Sequence, residues 1–384
     1  MIDRTHATPQ QLIYIEALEE HGTVREAARA LGCHHSAISR SMERLRTKQA
    51  TIEPNEHINR APTGYHLDGV STQRKVIDPD TGKEVLQWVK TKKSHAAPVE
   101  FLEAFRAAVE DKPPMTSEAV PVPENLDDDL LTVYPMGDPH IGMLSWRHET
   151  GDDFDLKIAE RNLVAAVDRL VGLAPPSKRA LIVNLGDFYH SDNKEGRTAR
   201  SGNPLDVDSR WDKVLRVGIM AMVRCVDRAL EKHECVRVIN EIGNHDDHSS
   251  IMLGVCLSHH FRDNPRVEID TSPARYHWYE FGLNLIGVTH GHGAKARDLP
   301  GVMAADKSEA WGRTKFRFWL CGHVHHESKK EYPGAIVETF RTLAARDAWH
   351  HGEGYRAGRN MVCDVYHRTR GRILRHEVGV EELS

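Results

Sequence analysis

Five short segments constrain this chain more than any other feature. GDPHIG at 137–142, GDFYH at 186–190, GNHD at 243–246, THGH at 289–292 and CGHVH at 321–325 each place Asp, Asn or His after an apolar run. Those runs end near Met136, Leu185, Ile242, Val288 and Leu320, and LTVYPM and RALIVNL have the compact apolar pattern of buried strands. Helices are expected near 155–171, 209–233 and 249–261, and a terminal hairpin over 359–378 turning at Gly371. Strand–helix alternation predicts an α/β layered domain. In such a fold the cleft lies beyond the C-terminal strand ends, so the five segments would converge there. The glycines beside them permit sharp turns and close backbone approach.

The donor set suits divalent metals. Carboxylate, amide oxygen and imidazole fit Mn²⁺, Fe or Zn²⁺ better than a thiolate site would. Asp187 is the natural bridge, because one carboxylate offers two oxygens. Two ions ~3.5–4 Å apart can hold a bridging hydroxide and the oxygens of a phosphate, which is the two-metal mode of phosphoester hydrolysis. Histidine is abundant, at 25 copies, and it is the commonest metal ligand.

In order and in type, the five segments resemble the D-x-H, G-D, G-N-H-[DE], H and G-H-x-H signature of the calcineurin-like metallophosphoesterase superfamily. The resemblance spans about residues 130 to 325. It implies a four-layer α/β/β/α sandwich over 130–384 and two divalent ions, Mn²⁺ foremost. By that resemblance Asp138, His140 and His325 would hold one ion with bridging Asp187. Asn244, His290 and His323 would hold the other with the same aspartate. His245 would contact the phosphate and protonate the leaving oxygen, and Asp246 would orient His245 through a ring nitrogen. Many members have G-D-x-x-D at the second motif, whereas position 190 here is His. In that detail the chain looks more like the Mre11/SbcD-type DNA nucleases, which implies that His190 touches the scissile phosphate or helps to position DNA.

Residues 1–50 read as three short helices. Thr8 with Pro9, and Thr23 with Glu26, supply start signals, and Gly22 and Gly32 supply stops. Ala27, Ala28 and Leu31 would pack one helix against Ile38 and Leu45 of the next. The segment resembles the helix-turn-helix DNA-binding domains of LysR-type regulators. That resemblance implies that His35, Ser36, Ser39, Arg40 and Arg44 face DNA. Residues 51–110 read as a small β-containing connector or wing, with a short helix over 99–110. Residues 111–129 read as a proline- and acid-rich linker.

Composition excludes other classes. A net charge of −5 rules out a uniformly basic nucleic-acid coat, though not a local basic surface. No apolar run reaches the ~18 residues of a membrane helix, and the first twenty residues lack a signal-peptide core. Six cysteines without paired spacing argue against a disulfide scaffold. The chain therefore reads as cytoplasmic, in a bacterium or a phage-infected cell, with no membrane partner and with self-association left open. Three functions follow. The first is a DNA nuclease or end-processing phosphodiesterase. The second is a phosphodiesterase or phosphatase for a small nucleotide or other small phosphoester. The third is a DNA-binding regulator with an inactive phosphoesterase domain. Between motifs, Lys194, Arg197 and Arg200 are candidate phosphate contacts, and Trp311, Arg313, Lys315 and Arg317 are candidate nucleotide contacts.

Overall fold

The computed structural model describes residues 7–50, 70–77, 84–91, 120–198 and 202–383. The chain divides into two compact units, Met1–Ala96 and Ala97–Ser384. The expected helix over 99–110 and most of the expected linker lie outside the described residues.

In the first unit, helices span Pro9–His21, Val24–Ala30 and His35–Ala50. Thr8 forms a reciprocal capping box with Gln11, and Thr23 accepts the Glu26 backbone N–H. Ile15, Ala27, Ala28, Ile38 and Leu45 form the small core. Leu31 departs from expectation. It sits at the helix C-cap, where the chain turns outward toward Gly32, and it is exposed. Strands β1 (Val70–Ile77) and β2 (Glu84–Thr91) pair antiparallel.

The second unit holds two sheets. The six-stranded sheet contains β3 (Asp127–Met136), β4 (Ser177–Asn184), β5 (Cys235–Asn240), β6 (Val267–Asp270), β12 (Asn360–His367) and β13 (Gly371–Gly379), in the order β13-β12-β3-β4-β5-β6. The five-stranded sheet contains β7 (His277–Phe281), β8 (Asn284–Thr289), β9 (Phe316–Cys321), β10 (Ser328–Tyr332) and β11 (Ala335–Thr339), in the order β10-β11-β9-β8-β7. Strand β3 begins at Asp127, inside the segment read as linker. Its early acidic residues pair outward with Arg179 and Arg368 while the apolar remainder enters the sheet.

Side-chain alternation builds the layers. Leu131, Val133, Leu181, Val183 and Ile239 face Ile286, Val288, Phe318 and Leu320 of the other sheet. On the opposite side, Tyr134, Ala180, Ile182 and Val238 meet the helices Leu156–Leu173, Trp211–Leu230 and Asp247–His260. Leu285, Trp319 and Val337 meet the helices Leu299–Asp306 and Ser308–Arg313. The result is an α/β/β/α sandwich.

Strands β3, β4 and β5 run parallel, and so do β8 and β9. All five motif segments leave the C-terminal ends of these strands. The 299–317 segment packs on the outer face of the five-stranded sheet. Arg317 stacks 4.1 Å from the Trp311 ring and donates to Trp311 and Thr314 carbonyls, while Arg313 pairs with Glu280. These side chains lock the outer layer, because their cations are already satisfied within it.

Candidate metal centre

The backbone at the strand ends is strained where the donors sit. Seven described non-glycine residues have positive φ, and five of them are Asp138 (44°), His140 (46°), Asp187 (49°), His323 (71°) and His325 (55°). This left-handed region disfavours residues with a Cβ, and such strain persists only where surrounding structure enforces it. The enforcement is visible. The His140 N–H donates to the Asp187 carbonyl at 3.0 Å. The His323 N–H donates to both Asp138 carboxylate oxygens at 2.8 and 3.0 Å. The His245 N–H donates to Asp187 Oδ1 at 2.8 Å. Gly243 passes so close to Asp187 that a Cβ would overlap its carboxylate and backbone, and a Cβ on Gly322 would press on Asp138.

Three donor clusters result: Asp138 with His140 and His325; Asp187 with His290 and His323; and His140 with His190 and His245. Within each, the donor atoms lie within 4.8 Å of one another. His140 Nε2 and His325 Nε2 stand 3.1 Å apart. His290 Nδ1 donates to the Leu185 carbonyl at 2.8 Å, which aims Nε2 at Asn244 Oδ1 (3.0 Å) and Asp187 Oδ2 (3.2 Å). A backbone carbonyl that fixes the ring in this way is the usual support of a metal-bound histidine.

The electrostatics fit cations. Burial, then His325, push His140 well below the usual imidazole value, and burial, then His350, push His325 down to about 3. Both rings are therefore neutral and able to offer a lone pair. Burial pushes Asp138 up to about 8 despite His290. Burial would also raise Asp187, yet His290 beside it holds that carboxyl well below its ordinary value. His290 itself is depressed by burial but lifted to about 10 by the Asp187 charge. A proton on His290 thus supplies the positive charge that these buried carboxylates demand, and a metal would supply the same charge. Asp138, His140, Asp187 and His325 would hold one ion, and Asp187, Asn244, His290 and His323 the second. Bound there, divalent ions would polarise phosphoryl oxygens and acidify water.

Two expected roles change. Asp246 does not meet the His245 ring. Its carboxylate accepts the Gly243 N–H (3.0 Å), the Tyr189 N–H (3.1 Å) and the Ser250 hydroxyl (2.7 Å). The His245 ring is oriented instead by the His190 carbonyl, 3.0 Å from its Nδ1, which leaves Nε2 free. His190 is fully buried, so it is no surface on which to position DNA. It stacks on His245 and sets its Nδ1 3.1 Å from His140 Nδ1, bracing both rings. Asp192 caps the helix Asp247–His260 through the His248 and Ser249 N–H groups.

The sequence reading missed the segment after β11. Asp347 Oδ1 accepts from His350 Nδ1 at 2.7 Å, and the His350 ring stacks on His325 at 4.8 Å. The Asp-x-x-His spacing at a helix start was the only available signal. His292, the last residue of the THGH segment, is half-buried beside His290 and His323 at ring separations of 5.2 and 6.1 Å. Lys194 pairs with Asp212, Arg197 donates to the Gly202 carbonyl, and Arg200 lies outside the described residues. Lys194 and Asp212 line a cavity of about 420 Å³, together with Ile141, Ser191 and Trp211.

The His/Asp clusters are consistent with the active site of a metal-dependent phosphoester hydrolase. No family model and no curated protein matches the chain. Among solved structures, one match is a conserved uncharacterised protein from Streptococcus pneumoniae TIGR4 described as a predicted phosphoesterase. It shows 14% identity over 65% of this chain and 98% of that one, with a TM-score of 0.25. Zinc-bound Vps29 from Entamoeba histolytica matches at 12% identity over 65% and 99%, with a TM-score of 0.26. A 5′-nucleotidase from Candida albicans SC5314 matches at 9% identity over 69% and 55%, with a TM-score of 0.30. The layer order and donor geometry stand on this chain's own residues.

Proposed function

We propose that this chain hydrolyses a small phosphoester with two divalent ions, Mn²⁺ first, shared through Asp187. The observation that carries the hydrolase reading is the convergence of Asp and His donors from five strand ends, with strained backbone at three of them. His245, with Nδ1 committed to the His190 carbonyl, holds Nε2 ready to give a proton to the leaving oxygen. Asn244 and His245 are half-buried and His323 is exposed, so the donor set is open to solvent at these residues.

The small-substrate reading is favoured by the charge around the site. Arg275 pairs with Asp247, Arg341 with Glu327 and Glu377, and Arg346 with Asp152. A duplex track gains affinity by neutralising phosphates with free cations, and these arginines already have carboxylate partners. The test is hydrolysis by metal-stripped protein restored with Mn²⁺, using bis(p-nitrophenyl) phosphate, cyclic nucleotides and oligonucleotides. Turnover of the small esters that Asp187→Ala abolishes is expected. Absence of turnover on every ester would overturn the reading.

A second reading, DNA-directed hydrolysis, is favoured by the first unit, where His35, Ser39, Arg40 and Arg44 are exposed and Ser36 is half-buried along one helix. It predicts salt-dependent DNA binding by the full chain. Replacing Arg40 and Arg44 with Ala should reduce the salt slope by about 2. Salt-independent or absent binding contradicts it.

A further inference from the structure

The helix Ala348–Gly352 carries an aromatic surface beside the donors that neither the strand ends nor the core explains. Asp347 starts the helix, accepting the His350 N–H at 2.8 Å and the His350 Nδ1–H at 2.7 Å. This fixes the His350 ring against His325, 24° from parallel. The Tyr355 N–H donates to the His350 carbonyl at 3.0 Å, and its ring lies 5.0 Å from His350. Trp349 meets His350 edge-on at 4.9 Å and Tyr355 at 5.8 Å. Trp349 is thus braced on one side by two rings, yet it is 59% exposed. The ring-to-ring path through His350 keeps it within about 10 Å of the His325 ring, the scale of a nucleotide's reach from phosphate to base. A second exposed tryptophan, Trp146, precedes the short helix Arg147–Thr150, which packs against Ala348–Gly352. The Ser145 hydroxyl donates to the Arg346 carbonyl, and Arg346 pairs with Asp152 at 3.4 Å, tying the two segments together.

Indole and phenol faces stack planar rings without reading their hydrogen-bonding edges, and such stacking is sequence-tolerant. An aliphatic phosphoester has nothing to place on them. We infer that Trp349, backed by Tyr355 and His350, is the stacking platform for a base, so that the substrate class is a nucleoside phosphoester. This inference rests on the hydrolase reading above. The base can come from a free nucleotide ester or from the end of an oligonucleotide.

The Mn²⁺-loaded full chain is assayed on the dinucleoside phosphate TpT, its abasic counterpart and an oligothymidylate, with products separated by chromatography. Bis(p-nitrophenyl) phosphate is the control for hydrolysis itself. The expected result is a kcat/KM preference for TpT over the abasic ester that collapses about 10-fold in Trp349→Ala, mainly through KM, and survives in Trp349→Phe. Preference for TpT over the oligomer assigns a free nucleotide ester, and the reverse assigns a strand end. An unchanged preference in a Trp349→Ala protein with wild-type melting temperature overturns the inference. So does turnover of the aryl diester with none of either nucleotide compound, which leaves the hydrolase reading standing. Loss of turnover on every ester removes both.

Discussion

Asp187 has no spare conformational freedom. Its φ is 49°, its Oδ1 accepts the His245 N–H, and its Oδ2 faces His290 Nε2. Gly243 gives it room, so Gly243→Ala is expected to displace the carboxylate and cost at least ~2 kcal/mol of stability together with metal affinity. Denaturant melts with and without Mn²⁺ check this, and wild-type values for both would contradict it. Asp246 makes a different prediction. Because it ties down the Gly243 and Tyr189 backbone rather than the His245 ring, Asp246→Asn should lower the melting temperature while leaving the pH–rate profile in shape. A shifted profile at full stability would restore the ring-orienting role. The donors were legible in sequence because each follows a strand that announces itself by apolar run length. Asp347, His350 and Trp349 were not, since they do not directly follow an apolar strand and acquire their position only through the fold. Nor could residue order show that the carbonyl of His190, rather than the carboxylate of Asp246, reaches the His245 ring.

Elements were legible where apolar periodicity is strong. The helices expected near 155–171, 209–233 and 249–261 appear as Leu156–Leu173, Trp211–Leu230 and Asp247–His260, and the terminal hairpin forms with Gly371 at φ 76°. The 299–317 segment misled because Trp and Arg beside a motif suggest a ligand, whereas Arg317 stacks on Trp311 to close the outer layer. Pairing between the sheets was not legible either. His277 on β7 sits 2.9 Å from Glu241, which follows β5, and 3.4 Å from Asp270 at the end of β6. Burial depresses His277, but the Asp270 and Glu241 carboxylates paired with it lift it to about 9. A raised folded value means that its contribution is complete below the unfolded imidazole value of about 6.5 and is lost as pH rises through 9. The melting temperature should therefore fall between pH 6.5 and 9, with a shallower fall in His277→Gln. Equal slopes in the two proteins would show that this cluster does not clamp the sheets.

At the scale of the whole molecule, the two-sheet core is built from apolar side chains, while the edge that carries the donors concentrates buried carboxylates and imidazoles. Ligands that bind only the folded chain stabilise it by mass action, by ~2.7 kcal/mol at a hundredfold excess over Kd. Mn²⁺ should therefore raise the melting temperature by several degrees, and chelation should reverse the rise. The most direct test of the central claim is the number of ions per chain. Elemental analysis of Mn²⁺-loaded protein, with anomalous scattering to locate the ions, should find two beside Asp187 in the wild type and a deficit at both positions in Asp187→Asn. A single ion, ions elsewhere, or two ions retained in that variant would contradict the claim that one carboxylate joins both sites.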